Sequence, residues 1–426
     1  MRLLLKGGRV IDPLRKIDEV MDVLIEGSRI ARVEKNIRDA GEDVQILNVK
    51  NRLVVPGLID MHTHLREPGF EYKETIRTGG MAAVAGGFTS IACMPNTNPV
   101  NDNRSVTEFI LKQAQLSDLV NVYPVAAVTK GSEGLVLSEF GDLKEAGAIA
   151  FSDDGKPVVN SGIMRSAMEY AASFDMPVIS HCEDPNLSAG GLMNEGTVST
   201  ELGLKGIPNT SEEVMVARDI AIAEFTGTSV HIAHVSAAGS VRLIREAKAR
   251  GVKVTAETAP QYFTLTDEAL RTFDTCLKMN PPVRTLQDVT AVKEALKDGT
   301  VDIIASDHAP QSSVEKDVEF EYAANGIIGL ETSLSLSLKL VEEGVLSYSG
   351  LIEKMSVNPA RVLRLSGGSL SPGADADITI IDAGRKWKVD ANRFQSRSRN
   401  SPFHGWSLKG KPVLTVVGGK IKYQDL

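Results

Sequence analysis

The chain has 426 residues, 42% hydrophobic and 24% charged, with a formal net charge of -8. This is an ordinary balance for a globular enzyme with one large domain and a smaller one, and without a Lys/Arg run it argues against a nucleic-acid surface. No stretch of about 18 apolar residues is available to cross a membrane, and the opening MRLLLKGGRVID is too short in its apolar run for a signal peptide.

The first 55 residues read as short strands. RLLLKGGRVID, DVLIEGSRIARVEKNI and DVQILNVKNRLVVPG carry β-branched residues, partial alternation and Gly punctuation. Beyond them, eight apolar runs recur: Val54–His62, Thr89–Asn96, Asn121–Thr129, Ala148–Asp154, Pro177–His181, Ser229–His234, Val252–Glu257 and Asp302–Asp307. Helical patterns lie between several of them, in NRSVTEFILKQAQ, SGIMRSAMEYAASF, TSEEVMVARDIAIAEFTG, GSVRLIREAKARG and LQDVTAVKEALKDG. The one starting at Thr210 has a capping-type opening, Thr-Ser-Glu ahead of an apolar stripe. Strand-like texture returns in GADADITIIDAGRKWKV and KPVLTVVGGKIKYQ. Eight strand-then-helix units predict an α/β fold, a (β/α)8 TIM barrel, which typically needs about 250 residues. The alternative, an open doubly wound sheet, lacks its Gly-rich nucleotide turn after the first strand. The expected domains are a discontinuous β-sandwich from 1–55 plus 365–426 and a catalytic barrel at 56–364.

Barrel enzymes carry their chemistry at the C-terminal ends of the strands. Here those ends hold His62 and His64, Asn96, Asp153 and Asp154, His181, His234, Glu257 and Asp307. Counting His308, five of the chain's seven histidines fall on one predicted rim. Residues two apart on a strand face one way, so HTH aims two imidazoles together, as a metal requires. An isolated HxH is equally the pattern of two exposed polar residues; matching residues at other strand ends favour the ligand reading. In HIAH, His231 and His234 are three apart, so at most one points inward. His234 is the expected ligand and His231 the packed residue on the helix side. In SHCE, His181 is the ligand candidate and Cys182 a buried thiol on the other face.

FSDDG offers Asp153 or Asp154. Asp154 shares parity with the small Ala148, Ala150 and Ser152, which makes it the inward candidate. Asp307 can bind a metal and take a proton from its water; its bland alternative is a helix-capping Asp. Glu257 is left without a role. Cys93, Cys182 and Cys276 are far apart and read as reduced thiols in a cytoplasmic setting. His and Asp ligands without thiolates indicate catalytic zinc or a similar divalent ion, and hence metal-assisted hydrolysis or its reverse.

Together GLIDMHTHLREPG, MPNTNP, FSDDG, SHCED, HVSAAGSVRLIREAKARG, KMNPPVR and SDHAP resemble the bacterial class I dihydroorotases of the amidohydrolase superfamily. VVPGLID before them and GADADITIID after them match too, so the resemblance covers nearly the whole chain. It implies reversible cyclisation of N-carbamoyl-L-aspartate to L-dihydroorotate in pyrimidine (UMP) biosynthesis. It also implies two zinc ions per chain, or one. His62, His64 and Asp307 match ligands of one ion, His181 and His234 ligands of a second, and Asp154 the carboxylate between them. Asp307 matches the catalytic acid/base. Arg66, Asn96 and Asn280 match groups that hold the substrate carboxylate, and His64 lies beside them.

Some positions depart from the family pattern. DHAPQ places Gln311 where a histidine that contacts substrate is expected, so Gln311 is a substrate-binding candidate that can hydrogen-bond but not carry charge; Pro260-Gln261 stands for Pro-His. AANGIIGLET puts Asn325 and Gly326 at a substrate-binding pair. Hydantoinases, dihydropyrimidinases and allantoinases share HxH but are expected to bridge their metals with a carboxylated lysine. Here the first lysine after FSDDG is Lys156. Dihydroorotase-like chains that serve aspartate transcarbamoylase as structural partners have lost metal ligands, whereas all six ligand positions are present here. The implied partners are a small-molecule substrate, a second copy in a homodimer and, as a further association, aspartate transcarbamoylase. The acidic segment Gln311–Glu331 is expected to form a mobile loop over the site.

Overall fold

In the computed structural model, which describes residues 2–40 and 43–426, the chain opens with five strands. They are β1 (Arg2–Asp12), β2 (Ile17–Glu26), β3 (Arg29–Glu34), β4 (Val44–Asn48) and β5 (Leu53–Pro56). β1 is the organiser. It pairs with β2 along its length, and its register shifts between Leu5 and Gly8, where Gly7 takes a φ of 75°. Before the shift β1 pairs with β4; beyond it, Arg9 and Val10 pair with β5. An extra residue of this kind bends a strand, and the bend folds the sheet over its own apolar face.

The expected first run, Val54–His62, is split in the structure. Leu53–Pro56 stays in the terminal sheet, and the barrel begins with β6 (Leu58–Thr63). The break is Gly57, where a Cβ would stand 2.1 Å from the Thr89 hydroxyl. Only glycine lets the chain pass there from one sheet to the other.

β6, β7 (Phe88–Cys93), β8 (Asn121–Ala126) and β9 (Ala150–Phe151) form one parallel sheet. After β10 (Ile179–Ser180), a ribbon of β11 (Met193–Asn194) and β12 (Gly206–Ile207) stands apart. The chain continues with β13 (Val230–Ile232), β14 (Val254–Thr258) and β15 (Ile303–Ile304), which join β10 in a second parallel sheet. Parallel bridges between Phe151 and Val178 and between Thr63 and His308 close the two sheets into a ring. A helix follows each strand of the ring, from Ile76–Ala85 to Leu330–Glu342, which is the (β/α)8 arrangement. Small inward residues, Ala92, Ala150, Ala233 and Ala305 with Met61, Ile179 and Ile303, fill the ring. Outward residues such as Phe151 and Ile232 meet the helices, with Phe140 stacked 3.7 Å from Phe151.

The Thr-Ser-Glu opening of helix Thr210–Thr226 does not cap that helix through a side chain. Glu212 reaches instead to the loop after β13, accepting from the backbone N–H groups of Ser236 and Ala237 at 3.1 Å. Long-range demand overrides the local signal.

The chain ends in β16 (Ile378–Lys388), β17 (Ser407–Val417) and β18 (Lys420–Gln424). They extend the terminal sheet in the order β18-β17-β16-β5-β1-β2-β3. Leu3, Leu5, Val10, Val23, Ile378, Ile380 and Val416 share its core. Between β16 and β17 the chain returns to the barrel rim. There Asn400 Nδ2 donates to the carbonyls of Ala309 and Gly326 at 3.1 and 3.0 Å.

Glu331, at the start of helix Leu330–Glu342, accepts from the N–H groups of Gln395 and Ser396. Burial pushes its carboxyl up from 4.5 to about 7. The folded chain therefore binds this proton more tightly than the unfolded chain, and stability is lost as pH rises from about 4.5 through about 7. Glu331→Gln is expected to flatten that decline in thermal melts across the same window.

Candidate metal centre and active site

The site is assembled from strand exits. β6 delivers His62 and, two residues on, His64, both buried. The exit of β9 delivers Asp154, β10 delivers His181, β13 delivers His234 and β15 delivers Asp307. Asp154 stands at the centre. Its Oδ1 lies 3.2 Å from His62 Nε2, 3.6 Å from His181 Nδ1 and 3.4 Å from His234 Nε2, and its Oδ2 lies 3.5 Å from His64 Nε2. Asp307 Oδ1 is 3.4 Å from His64 Nε2 and 3.8 Å from His62 Nε2. Two triads of ligand-type atoms result, His62–His64–Asp154 and Asp154–His181–His234, sharing the one carboxylate. Asp153 points elsewhere, to the backbone N–H and hydroxyl of Thr129.

Strand alternation alone does not produce this convergence. His234 and Asp307 take positive φ values of 34° and 49°, a conformation that few L-residues adopt and that turns their side chains off the strand alternation. At His234 the turn cancels the alternation. His231 and His234 therefore both face inward, and His231 lies 3.4 Å from Glu257 inside the barrel rather than on the helix side.

The donor set fits divalent cations. His62 Nε2 and Asp154 Oδ1 are buried and lack any hydrogen-bond partner, a costly state unless something else meets them. Burial works against charging His62, but Asp154 and Glu257 outweigh it and pull the imidazole toward the protonated form. His181 is raised to about 9 in the same way, burial being outweighed by Asp154 and Glu183. Asp154 is held well below the usual carboxylate range despite its burial, chiefly by His62 and His181. The pocket thus seeks positive charge. Imidazole nitrogens and carboxylates are the donors that zinc-like ions take.

Three of the four imidazoles are aimed from behind. His62 Nδ1 is 2.5 Å from Glu257 Oε1, His64 Nδ1 is 2.9 Å from Asn96 Oδ1, and His181 Nε2 is 3.0 Å from Glu183 Oε2. Asn280 Nδ2 donates to that same Glu183 oxygen at 2.8 Å. Asn96 and Asn280, expected at the substrate, stand behind the histidines in this structure, Asn96 on His64 directly and Asn280 on His181 through Glu183. Glu183 and Asp60 escape a reading of the sequence. Asp60 accepts from the N–H groups of His62 and Ser306, tying β6 to β15. Its parity with His62 was the available signal; Glu183 had only its place two residues after His181.

Arg66, at φ 62°, donates through Nε to the Pro310 carbonyl at 3.1 Å. Burial lowers its pKa to about 10, opposed by Asp307 and Asp154, so it remains a cation. Gln311 is engaged differently from expectation. Its Oε1 accepts from Lys73 Nζ at 2.8 Å and its Nε2 donates to the Asn325 carbonyl at 2.6 Å. Gln261 Nε2 comes within 3.5 Å of Asp307 Oδ2. Asn325 is exposed, while Gly326 is buried at φ 122°, with no room for a Cβ against the Ala309 carbonyl at 2.7 Å. The segment expected to be mobile is fastened to the body. Lys316 Nζ donates to the carbonyls of Thr275 and Lys278, and Lys278 Nζ to those of Phe320 and Glu321.

Comparison with known proteins places this arrangement. The profile of the Dihydro-orotase-like family matches residues 51–240, and that of the Amidohydrolase family matches residues 204–423. The chain is 62% identical over 425 residues to the dihydroorotase of Syntrophus aciditrophicus, covering 100% of both chains. It is 60% identical over 426 residues to that of Pelotomaculum thermopropionicum, covering 100% of this chain and 99% of the relative. The chain belongs to the dihydroorotase family of amidohydrolases. Dihydroorotases are cyclic amide hydrolases, and this chain is an enzyme of that kind. Among solved structures, the L-hydantoinase of Arthrobacter aurescens superposes with a TM-score of 0.89 at 26% identity, covering 99% of this chain and 96% of that one. A dihydropyrimidinase from Brevibacillus agri, at 22% identity and a TM-score of 0.88 over 100% of this chain and 95% of that one, shares the fold. No helix among the described residues is long and apolar enough to cross a membrane.

Proposed function

We propose that the chain is a zinc-dependent dihydroorotase, interconverting N-carbamoyl-L-aspartate and L-dihydroorotate in pyrimidine biosynthesis. The observation that carries this reading, beside the full-length identity, is Asp154. A short carboxylate stands between the two histidine pairs, and the first lysine after it in the chain, Lys156, is exposed. Nothing there supports the carboxylated-lysine bridge expected of a hydantoinase. His62, His64 and Asp307 would hold one ion and His181 and His234 a second, with the carboxylate of Asp154 available to both. The working body is the barrel of 56–364, with 1–55 and 365–426 as the β domain; the pairing of β5 with β16 supports that division.

Bound divalent ions supply a nucleophile from water near neutral pH and polarise the amide carbonyl. The protein's own groups do the rest. Arg66 Nε is committed to Pro310, which leaves the two terminal nitrogens to grip the ring carboxylate as a fork. Asn96 and Asn280 complete the cradle at the mouth. Asp307 takes the proton released on attack and returns it to the leaving ring nitrogen, and in the biosynthetic direction the same carboxylate runs the transfers in reverse. Gln311 keeps Lys73 at the rim and ties down the Asn325 turn.

Arg66→Ala tests substrate choice. It is expected to lower kcat/KM for dihydroorotate by about 100-fold or more, the loss of a charged two-point contact. Turnover of hydantoin, which has no carboxylate, should be unchanged. Equal losses on both substrates would remove Arg66 from the carboxylate site.

A further inference from the structure

We propose that Glu257 and His231 are positioning residues for the metal centre. With Thr255 they form a buried chain that fixes the ring of His62 and the nitrogen it turns toward the ion. This rests on the metal reading above.

β13 and β14 run side by side, with His231 opposite Thr255 and Ile232 opposite Ala256. Ile232 and Ala256 pack outward in the core beneath the helices. The alternate residues face the interior and touch one another. Thr255 Oγ1 lies 2.8 Å from His231 Nδ1, and His231 Nε2 lies 3.4 Å from Glu257 Oε2. Glu257 Oε1 lies 2.5 Å from His62 Nδ1, and His62 Nε2 lies 3.2 Å from Asp154 Oδ1. His62, His231 and Glu257 are each 1% exposed or less.

A carboxylate sealed in a barrel is costly, and simple filling of the space would be better done by an apolar side chain. Its placement gives it a use. By accepting at His62 Nδ1 it keeps the proton there and leaves Nε2 as the free donor atom, aimed at Asp154. Its other oxygen and His231 Nε2 have no partner besides each other, and they face each other at 3.4 Å. His231, itself held by Thr255, keeps the carboxylate from turning. The effect is local. His64 is braced by the neutral Asn96, and His181 by a separate carboxylate, Glu183.

Zinc titration of the full-length chain against a chromophoric chelator tests this. Glu257→Leu should weaken zinc at the His62 site about 10- to 100-fold and leave the zinc held by His181 and His234 unchanged. Glu257→Gln keeps an acceptor and should recover most of the affinity, with His231→Phe in between. Glu257→Leu and His231→Phe chains that bind zinc as wild type does, while melting at lower temperature, would show a packing role and overturn the proposal. If Glu257→Leu does not fold, His231→Phe decides by the same criterion. A wild-type chain that binds no zinc would overturn the metal reading itself, and this inference with it.

Discussion

Asp154→Ala is expected to yield a folded chain that retains little zinc and turns over dihydroorotate at least about 10³-fold more slowly. Its carboxylate is the only group shared by the two histidine triads, so its loss removes a donor from both at once. The remaining imidazoles would also lose the anion that draws positive charge toward them. Asp153→Ala is the matched control. Asp153 accepts from the N–H and hydroxyl of Thr129, so its removal should cost about 1–3 kcal/mol of stability with zinc content intact. Metal analysis and steady-state rates on the two variants separate these outcomes. Equal zinc loss in both would mean that the second aspartate of FSDDG is not the shared ligand.

Asp307→Asn is expected to lower kcat by about 10²- to 10⁴-fold, the range for removing a positioned acid/base. KM should move far less, since Arg66 and the two asparagines are untouched. The amide keeps the size of the side chain and one donor oxygen, so the rate should fall more than the zinc content. Asp307 is well placed to serve both roles. At φ 49° it turns its Oδ1 to within 3.4 Å of His64 Nε2, and Gln261 steadies its other oxygen. A variant that loses zinc in proportion to activity would reduce Asp307 to a ligand alone.

The barrel was legible in the sequence because eight apolar runs recur with helical patterns between several of them, and the site because most of those runs end in His, Asp, Asn or Glu. Strand parity brought His62 and His64 together, and the small residues of Ala148–Ser152 separated Asp154 from Asp153. Where backbone geometry leaves the ordinary strand, the sequence carries no such sign. The positive φ at His234 turns its ring inward to join His231, against the alternation that sets the two apart. Gly57 divides one apolar run between two sheets because of a single close approach to Thr89. The support of Glu257 behind His62 depends on a contact between residues far apart in the chain, and Glu183, though two residues from His181, carries no pattern that marks it. Gln311 looked like a weakened substrate contact, and its partners Lys73 and Asn325 are not inferable from DHAPQ alone. The segment after β15 has the composition of a loose loop, yet Lys278 and Lys316 fasten it through four backbone carbonyls.

One assay addresses the central claim directly: turnover of dihydroorotate, hydantoin and allantoin by the same zinc-loaded preparation. The fork of Arg66 beside two histidine triads that share Asp154 predicts strong preference for dihydroorotate, with activity abolished by chelation and restored by zinc. Faster turnover of hydantoin or allantoin, or none of the three by a chain shown to hold zinc, would contradict it.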